Sequence, residues 1–348
     1  MPTITIIGLG LIGTSMGLAI KNSQIKNTTL VGYETHRETA IRSQKRGAVD
    51  KVERYLPAAV ENSHLVILAT PVMAIQPILR EIAPHLKSGA IVTDTASTKS
   101  AVMQWAEEIL PSSVSFIGGH PMAGKTDAGP DAAEATMFAN AVYCLTPSKS
   151  ADRPSVDAVE GLAKAVGAFP YFIDAGEHDG YVAGISHLPI ALSAALVQAT
   201  SNSPSWSEMG KLASSGFRDV SRLALGDPIM NHDIFVSNRT AISHWIAELV
   251  KELNGIQKLL EETPGETNDA GIQNMFRDVW EKRLNWMIGA DAQENPLDEL
   301  PSTADALARS LAGEWVVRKL DDLEPFKEKS SNPNPDNHER KRKGWLRR

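Results

Sequence analysis

Through the first half of the chain, short runs of β-branched and aliphatic residues alternate with stretches whose apolar positions recur at helical spacing. Thr3–Ile7, Thr28–Gly32, His64–Ala69, Ala90–Asp94, Ser115–Gly118 and Ala141–Thr146 have the length and composition of strands. Several are apolar nearly throughout, as in strands covered on both faces. Leu11–Asn22, Arg37–Gly47, Ala74–Leu86 and Ser97–Leu110 read as the intervening helices. Such alternation predicts an α/β domain, a mostly parallel sheet with helices on both sides, closed by a last strand at Phe169–Ile173.

After about Gly176 the strand signal stops. Glu177–Thr200 reads as a long helix rich in Ala, Leu and Ile, followed by helical patterns at Phe217–Leu225, Pro228–Glu262 and Ala270–Ile288. Long helices with large apolar faces need something to cover them, so an all-helical second domain that dimerises is the expectation. A monomer folding these helices onto its own first domain is the alternative. The segment Glu324–Arg348 is rich in Pro, Asn and charge, ends in a basic cluster and lacks the apolar residues to fold. The expected domains are therefore 1–175 (sheet), 176–323 (helices) and a disordered tail, 324–348.

Composition narrows the class. A formal net charge of −7 argues against a general nucleic-acid or membrane-surface role, which needs a basic field. The single cysteine, Cys144, lies in an apolar run and reads as a buried structural thiol; no intramolecular disulfide can form. Met1-Pro2-Thr3 enters a strand without a basic leader, and the apolar run Ile185–Leu196 is interrupted by Ser186, His187, Pro189 and Ser193. The expectation is a soluble, cytoplasmic protein with no membrane span.

Gly8-Leu9-Gly10-Leu11-Ile12-Gly13 follows the first strand and opens the first helix. In this context a GxGxxG run marks a Rossmann-type dinucleotide-binding domain. The first glycine allows the tight turn, the second lets the backbone approach a pyrophosphate, and the third lets helix and strand pack closely. The diphosphate would sit on free N–H groups at the helix N-terminus, including those of Leu11 and Ile12. Glu34 ends the second strand about twenty residues past Gly13, where a carboxylate accepts hydrogen bonds from the adenosine ribose and repels a 2′-phosphate. It favours NAD. Nearby Arg37 could pair with a 2′-phosphate and leaves NADP open. Thr70 and Pro71, at the end of the third predicted strand, would line the same edge of the sheet. No metal is called for.

Four further blocks follow in order: Asp94-Thr95-Ala96-Ser97-Thr98-Lys99; Gly118-Gly119-His120-Pro121-Met122-Ala123-Gly124; Ser186-His187-Leu188-Pro189; and Gly216-Phe217-Arg218-Asp219-Val220-Ser221-Arg222 with Asp227-Pro228-Ile229-Met230. Together with the glycine loop they resemble the prephenate/arogenate dehydrogenase family, over about Ile4 to Glu262. The resemblance implies oxidative decarboxylation of a cyclohexadiene that carries a hydroxyl on one ring carbon and a carboxylate on the opposite one. Loss of hydride requires loss of the hydroxyl proton, so a general base is needed, and the resemblance assigns it to His120. A neutral imidazole suits that task near neutral pH. The resemblance further implies that Ser97 hydrogen-bonds the substrate hydroxyl and helps place His120; it could also cap the next helix. Arg222 is the implied ring-carboxylate binder, through its planar guanidinium fork. Asp219, three residues earlier, could pair with Arg222 on one helix face. His187 is implied to face the cleft. Lys125 and Lys99 are candidate anion donors, for which a solvated lysine is an equal reading.

Two positions depart from the resemblance. Prephenate-preferring members often have a second histidine where Ile190 stands here, and many carry an aromatic residue where Asn231 stands. The first departure weakens the expectation of a prephenate side-chain donor and points toward arogenate. Competing readings are a 3-hydroxyacid dehydrogenase or imine reductase, which would lack the Gly118–Gly124 block and rely on a lysine in the helical domain. A non-catalytic redox sensor is a further alternative, but it would not need His120, Ser97 and Arg222 together.

Overall fold

The computed structural model describes residues 1–125, 127–262 and 266–289, with the side chains of 266–268 left aside. The expected tail 324–348 and the end of the helical domain to 323 lie outside the described residues. The chain divides into two compact units, Met1–Leu253 and Asn254–Arg348, and every candidate site residue falls in the first.

The first unit begins β1 (Thr3–Ile7), α1 (Leu11–Asn22), β2 (Thr29–Tyr33), α2 (Arg37–Lys45), β3 (Lys51–Glu53), α3 (Leu56–Val60), β4 (Leu65–Leu68) and α4 (Val72–Ile82). It continues β5 (Ile91–Asp94), α5 (Ser100–Ile109), β6 (Ser115–Pro121), β7 (Val142–Pro147), α6 (Arg153–Ala165) and β8 (Phe169–Phe172). The short β3 and α3, and the helix α6, are additions to the sequence reading. The eight strands form one sheet in the order β3-β2-β1-β4-β5-β6-β7-β8. All adjacent pairs are parallel except β6 with β7.

Alternation along the strands builds a core on each face. Ile4, Ile6, Leu65, Ile67 and Ile117 pack with α1 and α6 residues such as Met16, Ile20 and Leu162. Ile7, Val66, Leu68 and Phe116 pack on the other side with Val60, Ile75, Leu79 and Val102. Burying each such side chain contributes roughly 1.5–3 kcal/mol. The strand order reverses between β1 and β4. That switch point opens a crevice at the carboxyl ends of the strands, the usual ligand position in such sheets.

The helical part of the first unit starts with α7 (Ala175–Val182), continues through a π-helical turn at Ala183–His187, and runs into α8 (Leu188–Ser201). Together they form one 27-residue helix that is long and apolar enough, by length and composition, to cross a membrane. This corrects the expectation that no stretch qualifies: the polar residues interrupt the run in sequence without shortening the helix. Of those residues His187 and Ser193 are buried, as are His178 and Asp179 earlier in the helix, while Ser186 and Pro189 are half-buried. There follow α9 (Trp206–Leu212), α10 (Ser215–Ser221), α11 (Pro228–Ser237) and α12 (Arg239–Glu261). The single helix expected over Pro228–Glu262 is thus broken at Asn238. The motif Asp227-Pro228 starts α11: the Asp227 carboxylate accepts the Ile229 and Met230 N–H groups at 2.7 and 3.1 Å, and proline occupies the first turn. In the second unit, α13 spans Glu266–Met287.

Candidate active site

The glycine loop lies at the switch point. Gly8 has φ +90°, a left-handed conformation that disfavours any side chain, and a Cβ there would lie 2.4 Å from the Ala69 carbonyl oxygen. A Cβ on Gly13 would lie 1.9 Å from the Gly8 carbonyl oxygen, so the third glycine does permit strand and helix to touch. Gly10 has open space beside it and no side chain caps the α1 N-terminus that it begins. Those free N–H groups fit a diphosphate. Thr70 Oγ1 is buried beside the loop without a hydrogen-bond partner among the described residues, an orphan that a bound dinucleotide could satisfy.

Glu34 reaches back to the loop. One carboxylate oxygen accepts the Leu9 N–H at 2.9 Å and the other accepts the His36 N–H at 3.0 Å. Burial alone would raise its pKa; the hydrogen bonds from His36, Leu9 and Thr35 outweigh burial and hold it below the usual carboxylate range. Glu34 is therefore ionised at neutral pH. Arg37 is exposed at the start of α2, and Pro71 is the N-cap residue of α4.

His120 stands inside β6 rather than in a turn beyond it. Gly119 makes this possible: a Cβ there would lie 2.5 Å from the Asp94 carbonyl oxygen and 2.9 Å from the Tyr143 ring. The Asp94 carboxylate accepts the Gly119 N–H at 3.0 Å, extending the β5–β6 contact by a side chain beyond the last paired residues, Thr93 and Ile117. Its other oxygen forms a fully buried ion pair with Lys99, so Lys99 is a structural cation and not a solvated one.

From His120 a chain of hydrogen bonds runs into α7. His120 Nδ1 is 2.9 Å from His178 Nε2, and His178 Nδ1 is 2.9 Å from an Asp179 carboxylate oxygen. The Asp179 carboxylate also accepts the Lys99 and Ser100 N–H groups at 2.7 and 2.8 Å, capping α5 from another element. Burial would raise the Asp179 pKa, but the bonds from His178, Ser100 and Lys99 bring it below the usual range. A carboxylate only accepts, so His178 Nδ1 carries a proton. In the neutral His178 ring Nε2 then accepts, His120 Nδ1 donates, and His120 Nε2 is left with a lone pair. Burial, with like-signed pressure from His178, Lys99 and His187, pushes the His120 pKa well below its ordinary value. The ring can act as a neutral base.

His187 ends the π turn, fully buried; burial pushes its pKa down to about 4. Asn238 Nδ2 donates to the Asp179 main-chain carbonyl at 2.8 Å and lies 3.3 Å from His187 Nδ1. The break between α11 and α12 thus has a purpose that helical periodicity hides. Two more contacts seat α11 near the site: Asp233 accepts the Met73 N–H at 3.1 Å, at the start of α4, and Ser237 hydroxyl meets Thr98 hydroxyl at 2.9 Å.

Other expected residues form no hydrogen bond with this cluster. Ser97 is half-buried and makes no hydrogen bond with His120; nor does it cap a helix, since α5 begins at Ser100 with Lys99 as its N-cap residue. Arg222 and Asp219 are exposed and form no ion pair with each other, correcting the expected pairing. The helix ends at Ser221 and the chain tightens into a 3₁₀ turn at Arg222–Leu225, which removes the continuous α-helical face that pairing needed. Buried Ser193 clasps this turn, donating to the Val220 carbonyl at 2.9 Å and accepting the Ala224 N–H at 3.0 Å. Asp219 lines a shallow apolar pocket with Leu188, Pro189 and Leu223. Ile190 is half-buried on α8. Lys125 pairs with Glu134, whose N–H donates to Ser15 Oγ on α1 at 3.0 Å, so its loop is tied to the glycine-loop helix and not to the histidines.

The sequence reading missed His178, Asp179, Asn238 and Ser193. The adjacent His178-Asp179 pair inside an apolar helix was the available signal, since buried ionisable neighbours require partners.

The chain is similar to known proteins. Residues 16–171 match the family model described as prephenate dehydrogenase, nucleotide-binding domain, and residues 174–276 the one described as prephenate dehydrogenase, dimerization domain. The chain is 35% identical over 277 residues to the prephenate dehydrogenase of Bacillus subtilis, covering 79% of this chain and 72% of that one. Among solved structures, Synechocystis arogenate dehydrogenase is 31% identical with a TM-score of 0.68, over 82% of this chain and 99% of that one. Prephenate dehydrogenase from A. aeolicus, solved with hydroxyphenyl propionate and NAD+, is 28% identical with a TM-score of 0.75, over 82% and 98%. With both family domains matched in succession, over residues 16–171 and 174–276, the chain belongs to the prephenate dehydrogenase family of NAD(P)-dependent oxidoreductases.

Proposed function

We propose that this protein oxidatively decarboxylates prephenate to 4-hydroxyphenylpyruvate, arogenate to tyrosine, or both, as a step of tyrosine biosynthesis. The observation that carries the catalytic reading is the Asp179–His178–His120 chain, which leaves His120 Nε2 as an acceptor in a buried, neutral ring. The bound nicotinamide supplies the acceptor for the hydride that leaves the carbinol carbon. His120 takes the hydroxyl proton as that bond breaks, and the forming ketone becomes the electron sink. The bond to the ring carboxylate then cleaves, carbon dioxide leaves, its electron pair completes the aromatic ring, and His120 returns the proton to the phenolic oxygen. Ser97 is assigned to the substrate hydroxyl and Arg222 to the ring carboxylate, with His187, Asp219, Ile190 and Lys125 as further candidates around the substrate. Gly8, Gly10, Leu11, Ile12, Gly13, Thr70 and Pro71 would hold the dinucleotide. The ionised Glu34 sets a preference for NAD, with Arg37 as the group that would admit NADP.

The same reading divides the chain at about residue 175 into a dinucleotide-binding part and a helical part that binds substrate and dimerises. Ile185, Leu212 and Leu225 are 73%, 84% and 81% exposed, and a second copy of the chain is the proposed cover for such apolar side chains. A cytoplasmic location belongs to this proposal. Purified protein given prephenate or arogenate with NAD should release carbon dioxide and reduced nicotinamide in equal amounts. Reduction without release of carbon dioxide, or no reaction with either substrate, would refute it.

A further inference from the structure

Asn238 occupies a break that helical periodicity does not call for, and its side chain is spent on two partners. The Asp179 main-chain oxygen accepts only, so the atom facing it at 2.8 Å is the amide nitrogen. The second hydrogen of that nitrogen is the one available to His187 Nδ1 at 3.3 Å. Two N–H groups cannot usefully face each other, so Nδ1 holds a lone pair and the ring proton sits on Nε2. His187 Nε2 is buried and has no hydrogen-bond partner among the described residues.

The π turn explains how both histidines come from one helix. His187 follows His178 by nine positions. In a regular α-helix they would point about 180° apart. The Leu188 N–H bonds the Ala183 carbonyl five residues back, and the extra residue in that turn reduces the angle to about 80°. Gly184 admits Trp245 against the turn, since a Cβ there would lie 2.8 Å from the indole ring, and the indole N–H donates to the Gly180 carbonyl at 3.0 Å.

We propose that Asn238 is a positioning residue that holds His187 as the Nε2–H tautomer, so that His187 donates a hydrogen bond to an oxygen of the bound substrate. The inference rests on the proposed function for the identity of that oxygen's owner. Asp179 then sets two rings in opposite senses: its carboxylate, through His178, makes His120 Nε2 an acceptor, and its main-chain oxygen, through Asn238, makes His187 Nε2 a donor. The low pKa of His187, about 4, agrees with a neutral ring in this role.

The test is the nitrogen-15 spectrum of the histidine rings in the full-length protein, with His187→Gln used to assign the signals. The expected result is a protonated-type Nε2 and an unprotonated-type Nδ1 for His187. Adding substrate or a product analogue should shift the Nε2 signal. In Asn238→Ala the two tautomers should mix, and the KM for the cyclohexadiene should rise about tenfold, with kcat and the KM for NAD changed less. A protonated Nδ1 in the wild type overturns the proposal. So does an Asn238→Ala protein with wild-type spectrum and KM. If Asn238→Ala does not fold, the wild-type spectrum alone decides. The tautomer needs no turnover to be read, so failure of the proposed activity and failure of this inference remain distinguishable.

Discussion

His178 meets His120 edge to face, with ring centroids 5.1 Å apart, planes at 70° and the two facing nitrogens 2.9 Å apart. This contact orients the His120 ring from a different element, since β6 carries His120 and α7 carries His178. A ring fixed in this way would lose little freedom on substrate arrival in its proposed role as base.

Asp179→Asn should therefore damage catalysis more than binding. An amide can present its NH₂ group to His178 Nδ1, which reverses the tautomers along the chain and turns His120 Nε2 into a donor. We expect kcat to fall on the order of 10²-fold or more, with a smaller change in KM. The same change weakens the cap on α5 and should cost about 1 kcal/mol of stability, visible in a thermal melt. Wild-type kcat would show that the relay is structural only.

Arg222→Gln should mainly raise the KM for the cyclohexadiene. Losing a charge-assisted hydrogen bond to the ring carboxylate costs roughly 1.5–3 kcal/mol, or roughly ten- to a hundredfold in affinity. Because Arg222 is exposed and pairs with no carboxylate among the described residues, folding should be unaffected. A KM unchanged by the substitution would move the role to another cation, with Lys125 the next to substitute.

Glu34→Ser removes the carboxylate that accepts the Leu9 N–H and is proposed to repel a 2′-phosphate. The expected outcome is a higher KM for NAD and an improved ratio of kcat/KM for NADP over NAD. Greater efficiency with NADP in the wild type would instead make Arg37 the determinant.

Acid should destabilise this fold through His187. Its pKa is about 4 in the folded chain against an ordinary 6.5, so between those values the unfolded chain binds a proton that the folded one does not. That contribution to stability is full above about pH 6.5 and is lost as pH falls toward 4. Melting temperature measured across this range should drop more steeply in the wild type than in His187→Gln; equal slopes would contradict it.

Much of this was legible in the chain itself. Strand and helix periods gave Thr3–Ile7 and Leu11–Asn22 to the residue, because packing on both faces of the sheet leaves an apolar signature there. The glycine loop and Glu34 could be placed because each residue type has one physical reason to be where it is. His178, Asp179 and Asn238 were not legible, since their roles depend on a π turn and a helix break that set which side chains share a side. The Asp219–Arg222 pairing failed for the same kind of reason: spacing alone cannot show that the helix ends at Ser221.

The central claim is that a buried, neutral His120 takes the hydroxyl proton. Its most direct test is kcat/KM for the cyclohexadiene as a function of pH, in the wild type and in His120→Asn. Burial first, and then the neighbouring His178, Lys99 and His187, depress the His120 pKa, so the wild-type rate should hold level through pH 6.5 and fall only at more acid values. The variant should keep its fold and its affinity for NAD, lose activity on the order of 10²- to 10⁴-fold, and show no such acid limb. The same acid limb in both proteins, or near-normal turnover in His120→Asn, would contradict the account.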